Sequence, residues 1–250
     1  MIINGRILKR FVTLRRAFHD AGGVPCRRQR MITIYMEDIW QSMEQNAEIL
    51  GCGAEATVYR TKYLGRDAVV KTRMPKIYRH SELDTRLRSL RTKNEAKIMA
   101  EARKNGVRTP VIYDIDMNSF SITMEFAAGR KVKDVLDSEP SHAVEICEKI
   151  GETVAKLHNG KISHGDLTTS NMILMPDGNI CVLDMSMGTT LAETEDMGVD
   201  VHLLQRAFTS AHSGLEDAMD AMISAYAKNM KDHAKVLERV GDIRNRGRYT

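Results

Sequence analysis

Three polar side chains at fixed offsets pose the chemical question in this chain. In the stretch HGDLTTSNMIL, residues 164–174, Asp166 and Asn171 lie five apart on a loop between an apolar helical pattern and an apolar strand pattern. Two short strand patterns, NMILM and ICVLDM, are joined by the turn PDGN at 176–179, and the resulting hairpin brings Asp184 back beside that loop. Two carboxylates and an amide converging in this way suit Mg²⁺-assisted phosphoryl transfer. One carboxylate orients and deprotonates a hydroxyl or water, while the amide and the second carboxylate hold the metal that neutralises the phosphates. Taken alone, the same residues could equally cap turns.

Further residues extend the pattern. Lys71 ends the strand-like AVVK, where an ammonium can reach α- and β-phosphate oxygens. Glu95 lies on a long helical stretch and can pair with Lys71. LGCGAEA, residues 50–56, offers a glycine turn whose backbone amides could lie over phosphates, a weak signal by itself because most such turns are plain hairpins. Five elements in this order, each on the right kind of secondary structure, point to a kinase-like arrangement.

The elements that must position these residues can be read from the spacing. From about Asn46 the chain runs in short β-rich segments punctuated by Gly51, Gly53 and LGRD at 64–67. Residues 81–106 read as one long helix, with Ser81 as its cap, Gly106 as its end, and Leu83, Leu87, Leu90, Ile98, Met99 and Ala102 broadly on one side. Two strands follow around a turn at Met117–Ser119, then helical patterns at roughly 131–137 and 141–158. The fold class predicted is α+β: a minimal bilobal protein-kinase-like fold with a β-rich N-lobe over 44–126, one long helix in it, and a short helical C-lobe over 127–243. A hinge is expected near Glu125–Gly129.

The 250 residues, 42% of them hydrophobic, suffice for one good core or two small lobes around a cleft. No apolar run is long enough to span a membrane. Cys26, Cys52, Cys147 and Cys181 are scattered without CxxC pairing, which suits a reduced compartment. The localisation expected is cytoplasmic, with the nucleus as an additional candidate. Charge is polarised along the chain: residues 60–108 hold fifteen basic and five acidic side chains, and residues 109–243 hold eleven and twenty-two. That polarity fits a nucleic-acid face on the first lobe or, more plainly, solvated helix surface. Residues 1–35 are arginine-rich. They are expected to be a disordered arm or the product of a start upstream of Met31 or Met36, with an organellar transit segment as the competing reading.

The departures from ordinary protein kinases are informative. The loop reads HGD in place of HRD, so it has no arginine to bind an activation-loop phosphate. The metal motif reads DMS in place of DFG, no APE follows, and only 250 − 184 = 66 residues come after Asp184. GCGAEATVY at 51–59, KTRMPKIYRHSELDTRLRSLRTKNEA at 71–96, SHGDLTTSNMIL at 163–174, AETEDMGVDVHLLQRAF at 192–208 and IRNRGR at 243–248 together resemble the small atypical kinases of the KEOPS (EKC) complex, the PRPK-like family. RIO-type kinases share the minimal plan without these stretches. The resemblance covers roughly Glu44 to Arg248.

That resemblance implies a serine/threonine kinase or ATPase using ATP and Mg²⁺. It would act with the KEOPS threonylcarbamoyl-transferase subunit and other KEOPS subunits, with indirect or weak tRNA contact, in making threonylcarbamoyladenosine in tRNA. Carried over by position, Asp166 is the catalytic aspartate, Lys71 the phosphate lysine, Glu95 its partner, and Asn171 and Asp184 the metal ligands. Gly51, Gly53 and Ala54 would cover the phosphates, and Met124, Glu125 and Phe126 would meet adenine. The Arg-rich tail at 244–250 would reach toward the transferase partner, although it closes with GRYT where the family commonly adds basic residues. A free-standing small-molecule phosphotransferase and a non-catalytic kinase-like scaffold are the alternatives. The first usually carries a larger helical insert, and the second has usually lost Lys, Asp or Asn.

Overall fold

The computed structural model describes residues 48–246. The expectations for residues 1–35 and for the end of the tail, 247–250, lie outside the described residues. Five antiparallel strands form the first lobe: β1 (Glu48–Cys52), β2 (Thr57–Tyr63), β3 (Arg66–Thr72), β4 (Ile112–Asp116) and β5 (Ser121–Glu125), in the order β1-β2-β3-β5-β4. β2 and β3 are joined by Leu64 and Gly65, both with positive φ (49° and 79°). This two-residue turn has the right-handed twist that antiparallel hairpins need. Register then fixes the chemistry: Lys71 stands opposite Val58 on one side and Ile122 on the other, in the middle of the sheet.

The long helix α1 (Ser81–Lys104) is inserted between β3 and β4. It ends as expected at Gly106, whose φ of 76° places it in the left-handed region. The Val107 N–H bonds to the Ala102 carbonyl (3.0 Å) and the Gly106 N–H to that of Arg103 (3.0 Å), closing the last turn as a Schellman motif. Its start differs from expectation. His80, not Ser81, is the cap residue, and Leu83 and Leu90 are 51% and 61% exposed rather than inward. Asp84 is buried in their place, accepting hydrogen bonds from Arg88 Nε (2.6 Å) and the Lys76 backbone N–H (3.2 Å). A paired carboxylate anchors this half of the helix. The apolar face begins only at Ala96, Ile98, Met99 and Ala102.

The second lobe holds a three-stranded sheet, β6 (Arg130–Lys131), β7 (Met172–Leu174) and β8 (Ile180–Val182), with helices α2 (Val132–Ser138), α3 (Ala143–Asn159), α4 (Thr194–Ala211), α5 (Glu216–Asn229) and α6 (His233–Arg246). The first residues of the Arg-rich tail, Arg244 to Arg246, continue the last turn of α6. Arg246 pairs with Glu195 on α4 at 2.8 Å, and this ion pair and the helix hydrogen bonds order a segment that composition alone leaves without a core. One buried apolar cluster runs from Ile98, Met99 and Ile122 through Ile150 and Leu157 to Phe208 and Val240, so the two lobes share a core. Among the described residues no helix is long and apolar enough to cross a membrane.

α3 and α5 meet backbone to backbone at Gly151, where an added Cβ would lie 2.2 Å from the Met222 carbonyl oxygen. Gly151→Ala is therefore expected to lower stability by about 1–3 kcal/mol in urea unfolding. Gly241→Ala, at a helix position with nothing within 4 Å, should raise it by up to about 1 kcal/mol.

Candidate active site

The HGD loop is built on a buried acid. The Asp200 carboxylate on α4, 1% exposed, accepts hydrogen bonds from the backbone N–H groups of His164 (2.5 Å) and Gly165 (2.8 Å). His158 faces the same carboxylate at 3.5 Å through Nε2, and its Nδ1 lies 2.8 Å from the Tyr226 hydroxyl. Gly165 has φ 80°, and a Cβ there would come within 2.4 Å of the Met187 carbonyl oxygen. Glycine in place of arginine is thus a packing requirement of this loop. The wholly buried His164 ring accepts the Asp166 N–H at Nδ1 (3.2 Å), so Nε2 carries the proton and donates to the Leu183 carbonyl (2.8 Å). One imidazole therefore ties the loop to the strand end that carries Asp184.

A third buried histidine holds the middle of the loop. His212 Nε2 lies 3.0 Å from Thr169 Oγ1, and its Nδ1 lies 2.9 Å from Asp137 on α2. Asn171 Nδ2 donates to the Asp166 carbonyl (2.8 Å) and carboxylate (3.1 Å), which leaves the amide oxygen as its cation-binding atom. The Leu183 N–H bonds to the Asn171 carbonyl (2.9 Å) and sets Asp184 beside it. The hairpin thus brings Asn171 and Asp184 to one end of the β7–β8 pair, with Asn171 holding the exposed Asp166.

The N-lobe reaches the same end of the pair through Lys71. Lys71 Nζ lies 2.8 Å from Glu95 and 2.6 Å from Asp184. The other Glu95 oxygen pairs with Arg73, whose Nη1 also reaches Thr92 Oγ1 at 3.4 Å. Two cations and two carboxylates balance here with Glu95 and Arg73 almost fully buried. Burial pushes the Asp184 carboxyl upward, and Lys71, by charge and hydrogen bond, outweighs it with help from Ser186 and Arg73, so the net displacement is below the usual carboxylate range. Asp184 sits at φ 53°, a left-handed conformation that its surroundings must enforce.

The remaining expected residues line up less uniformly. Gly51 and Gly53 are exposed at the β1–β2 turn with Ala54 beside them. A Cβ on Gly51 would meet nothing within 4 Å, and on Gly53 only the Ala56 carbonyl at 3.6 Å, so the chain's own packing does not demand glycine at either. Met124 is buried in β5. The Glu125 side chain is committed elsewhere, to the Arg108 guanidinium and the Val111 N–H (3.0 Å), and its own backbone N–H donates to the Val111 carbonyl (2.8 Å). Phe126 lies under Arg60, whose guanidinium is 4.3 Å from the ring centre.

Arg73, Asp200 and His212 were not among the residues predicted. Arg73 carries a readable signal, because it follows Lys71 by two and so shares its face of the strand. The buried pair makes a stability test. Glu95→Ala should cost about 3–5 kcal/mol by leaving two cations facing each other, and adding Arg73→Met should recover most of the loss. Additive losses in thermal or urea unfolding would contradict this.

Comparison with known proteins agrees with this geometry. Residues 45–211 match the family model of the protein kinase domain. The chain is 36% identical over 211 residues to the "EKC/KEOPS complex subunit Tp53rkb" of Mus musculus, covering 80% of this chain and 86% of that protein. It is 39% identical over 207 residues to a "Probable bifunctional tRNA threonylcarbamoyladenosine biosynthesis protein" of Methanobrevibacter smithii, covering 81% of this chain and spanning only 37% of that longer one. Among solved structures it resembles the "Rio2 kinase-ADP/Mg2+-phosphoaspartate complex from Chaetomium thermophilum", with a TM-score of 0.56 at 15% identity over 85% of this chain and 75% of that one, which is a likeness of fold. The chain belongs to the protein kinase domain family and, within it, to the small kinase-like proteins represented by the EKC/KEOPS subunit Tp53rkb.

Proposed function

We propose that this protein is an ATP-dependent serine/threonine kinase or ATPase that works within a KEOPS complex in the biosynthesis of threonylcarbamoyladenosine in tRNA. The observation that carries the chemistry is that Lys71 of the first lobe joins Glu95 to Asp184 of the second, while the neighbouring Asn171 holds the Asp166 carboxylate. The names of its relatives support the pathway.

In this reading Lys71, held by Glu95, supplies a cation to the nucleotide phosphates, and the backbone of Gly51, Gly53 and Ala54 lies over them. The open space around both glycines suits a ligand at that turn. The exposed Asp166 carboxylate orients a hydroxyl or water and takes its proton as the oxygen attacks the γ-phosphorus and ADP leaves. Asn171 steadies that carboxylate through its amide nitrogen and turns its oxygen to the metal side. Mg²⁺ takes oxygen ligands, usually one or two from the protein with the rest from phosphates and water, and the Asp184 carboxylate and Asn171 amide oxygen fit that set. The bound ion would neutralise developing phosphate charge. Among the described residues no group of three or more His, Cys, Asp or Glu could hold a metal alone, which accords with an ion shared with a nucleotide.

The partner most in keeping with a relative named bifunctional, of which this chain spans 37%, is a threonylcarbamoyl-transferase subunit. The arginines at the end of α6 are candidates for its acidic or phosphate groups. Asp166→Asn and Asp184→Ala, each folded, should lower ATP turnover by roughly 10²-fold or more, the usual scale for losing a positioned charge at a phosphoryl-transfer site. The same variants in a complex reconstituted with the transferase should lower threonylcarbamoyladenosine yield. Wild-type turnover in either variant would remove the assignment.

A further inference from the structure

α1 reaches the loop after Asp184 with two consecutive residues. Glu95 acts through Lys71 on the Asp184 side chain, as described. Asn94 acts on the backbone: its Nδ2 donates to the carbonyl oxygens of Gly188 (2.9 Å) and Ser186 (3.2 Å). Ser186 in turn donates through Oγ to the Asp184 carboxylate (3.0 Å). The far side of the same loop is fixed to the short segment leading into the HGD loop. Ser163 and Thr189 exchange backbone hydrogen bonds at 3.0 and 3.2 Å, and a Cβ on Gly188 would lie 2.0 Å from the Ser163 carbonyl oxygen. Met185 is fully buried between these supports.

We infer that Asn94 is a positioning residue that holds the Asp184 loop in its metal-binding form directly from α1. The inference rests on the reading of Asp184 as a Mg²⁺ ligand. Three observations lead to it. Asp184 stands at a φ that needs enforcement, and its loop supplies two carbonyls that one amide group satisfies at once. Displacing α1 would break both Asn94 bonds together with the two ion pairs of Glu95, so helix position and loop shape are a single variable. A Cβ on Gly165 would lie 2.4 Å from the Met187 carbonyl oxygen, so the HGD loop packs directly on the segment, Ser186 to Gly188, that Asn94 holds from the other side.

The test compares Asn94→Ala, Asn94→Asp and Asn94→Gln by calorimetric binding of a non-hydrolysable ATP analogue with and without Mg²⁺, and by the Mg²⁺ dependence of ATP turnover. Loss of two hydrogen bonds should raise the half-saturating Mg²⁺ concentration roughly 10-fold in Asn94→Ala, with Mg²⁺-free analogue binding within about 2-fold of wild type. Asn94→Asp, which has no donor to offer the two carbonyls, should behave as badly or worse, and Asn94→Gln should regain most of the effect. An unchanged Mg²⁺ dependence in folded Asn94→Ala would overturn the inference, as would an equal loss with and without Mg²⁺. If Asn94→Ala does not fold, the isosteric Asp variant and the Gln variant, which keeps the amide on a longer stem, decide the matter by the same comparison. Asp184→Ala run alongside separates the two readings: if it abolishes the Mg²⁺ effect while Asn94→Ala does not, only the role of Asn94 falls, and if it leaves that effect intact the assignment of Asp184 falls with it.

Discussion

The buried carboxylate of Glu95 is the interaction on which the rest of this structure depends. It lies 1% exposed between Lys71 and Arg73, two cations spaced along one face of β3. Stranding any of these charges would cost several kcal/mol, so strand and helix must approach in one register. With that register fixed, Lys71 extends past Glu95 to Asp184 and the second lobe comes into contact with the first. Electrostatic neutrality is reached only when both lobes contribute. The same atoms that organise the fold are those that would meet a nucleotide.

The loop that carries Asp166 follows a complementary rule. Leu167 anchors it in the apolar core, and the rest of its shape comes from buried polar partners: Asp200 beneath its start, His164 within it, and His212 beneath Thr169. In a low-dielectric interior each unsatisfied member would be costly, and that cost makes the loop conformation specific. Histidine suits the task because each ring offers two directional nitrogens, and here each spans two elements.

How much of this could be read from the sequence depended on range. Asp166, Asn171 and Asp184 were legible because a short hairpin brings them together by local rules, whereas Lys71 and Glu95, far from Asp184 along the chain, were legible only through the order of the motifs. Gly106 was legible as a helix end by local rules as well. Asn94 was not, because its partner carbonyls are more than ninety residues away and nothing local marks it. Asp200 looks like any acid on a solvated helix until the loop above it is known. Leu83 and Leu90 misled because helical periodicity shows which residues share a face but not whether anything covers it. The helical start of the tail could not be read locally, because Arg246 is held by Glu195, an acid fifty-one residues upstream, rather than by apolar content.

Gly165 also constrains what the loop can accept. An arginine at this position would need its backbone turned out of the left-handed region and the Met187 carbonyl moved from its path. Shifting that carbonyl disturbs Gly188, which is itself pressed against Ser163. An arginine introduced at this one position would therefore disturb two tight backbone contacts in succession, and its cost would be felt at the Asp184 loop rather than at Gly165 alone.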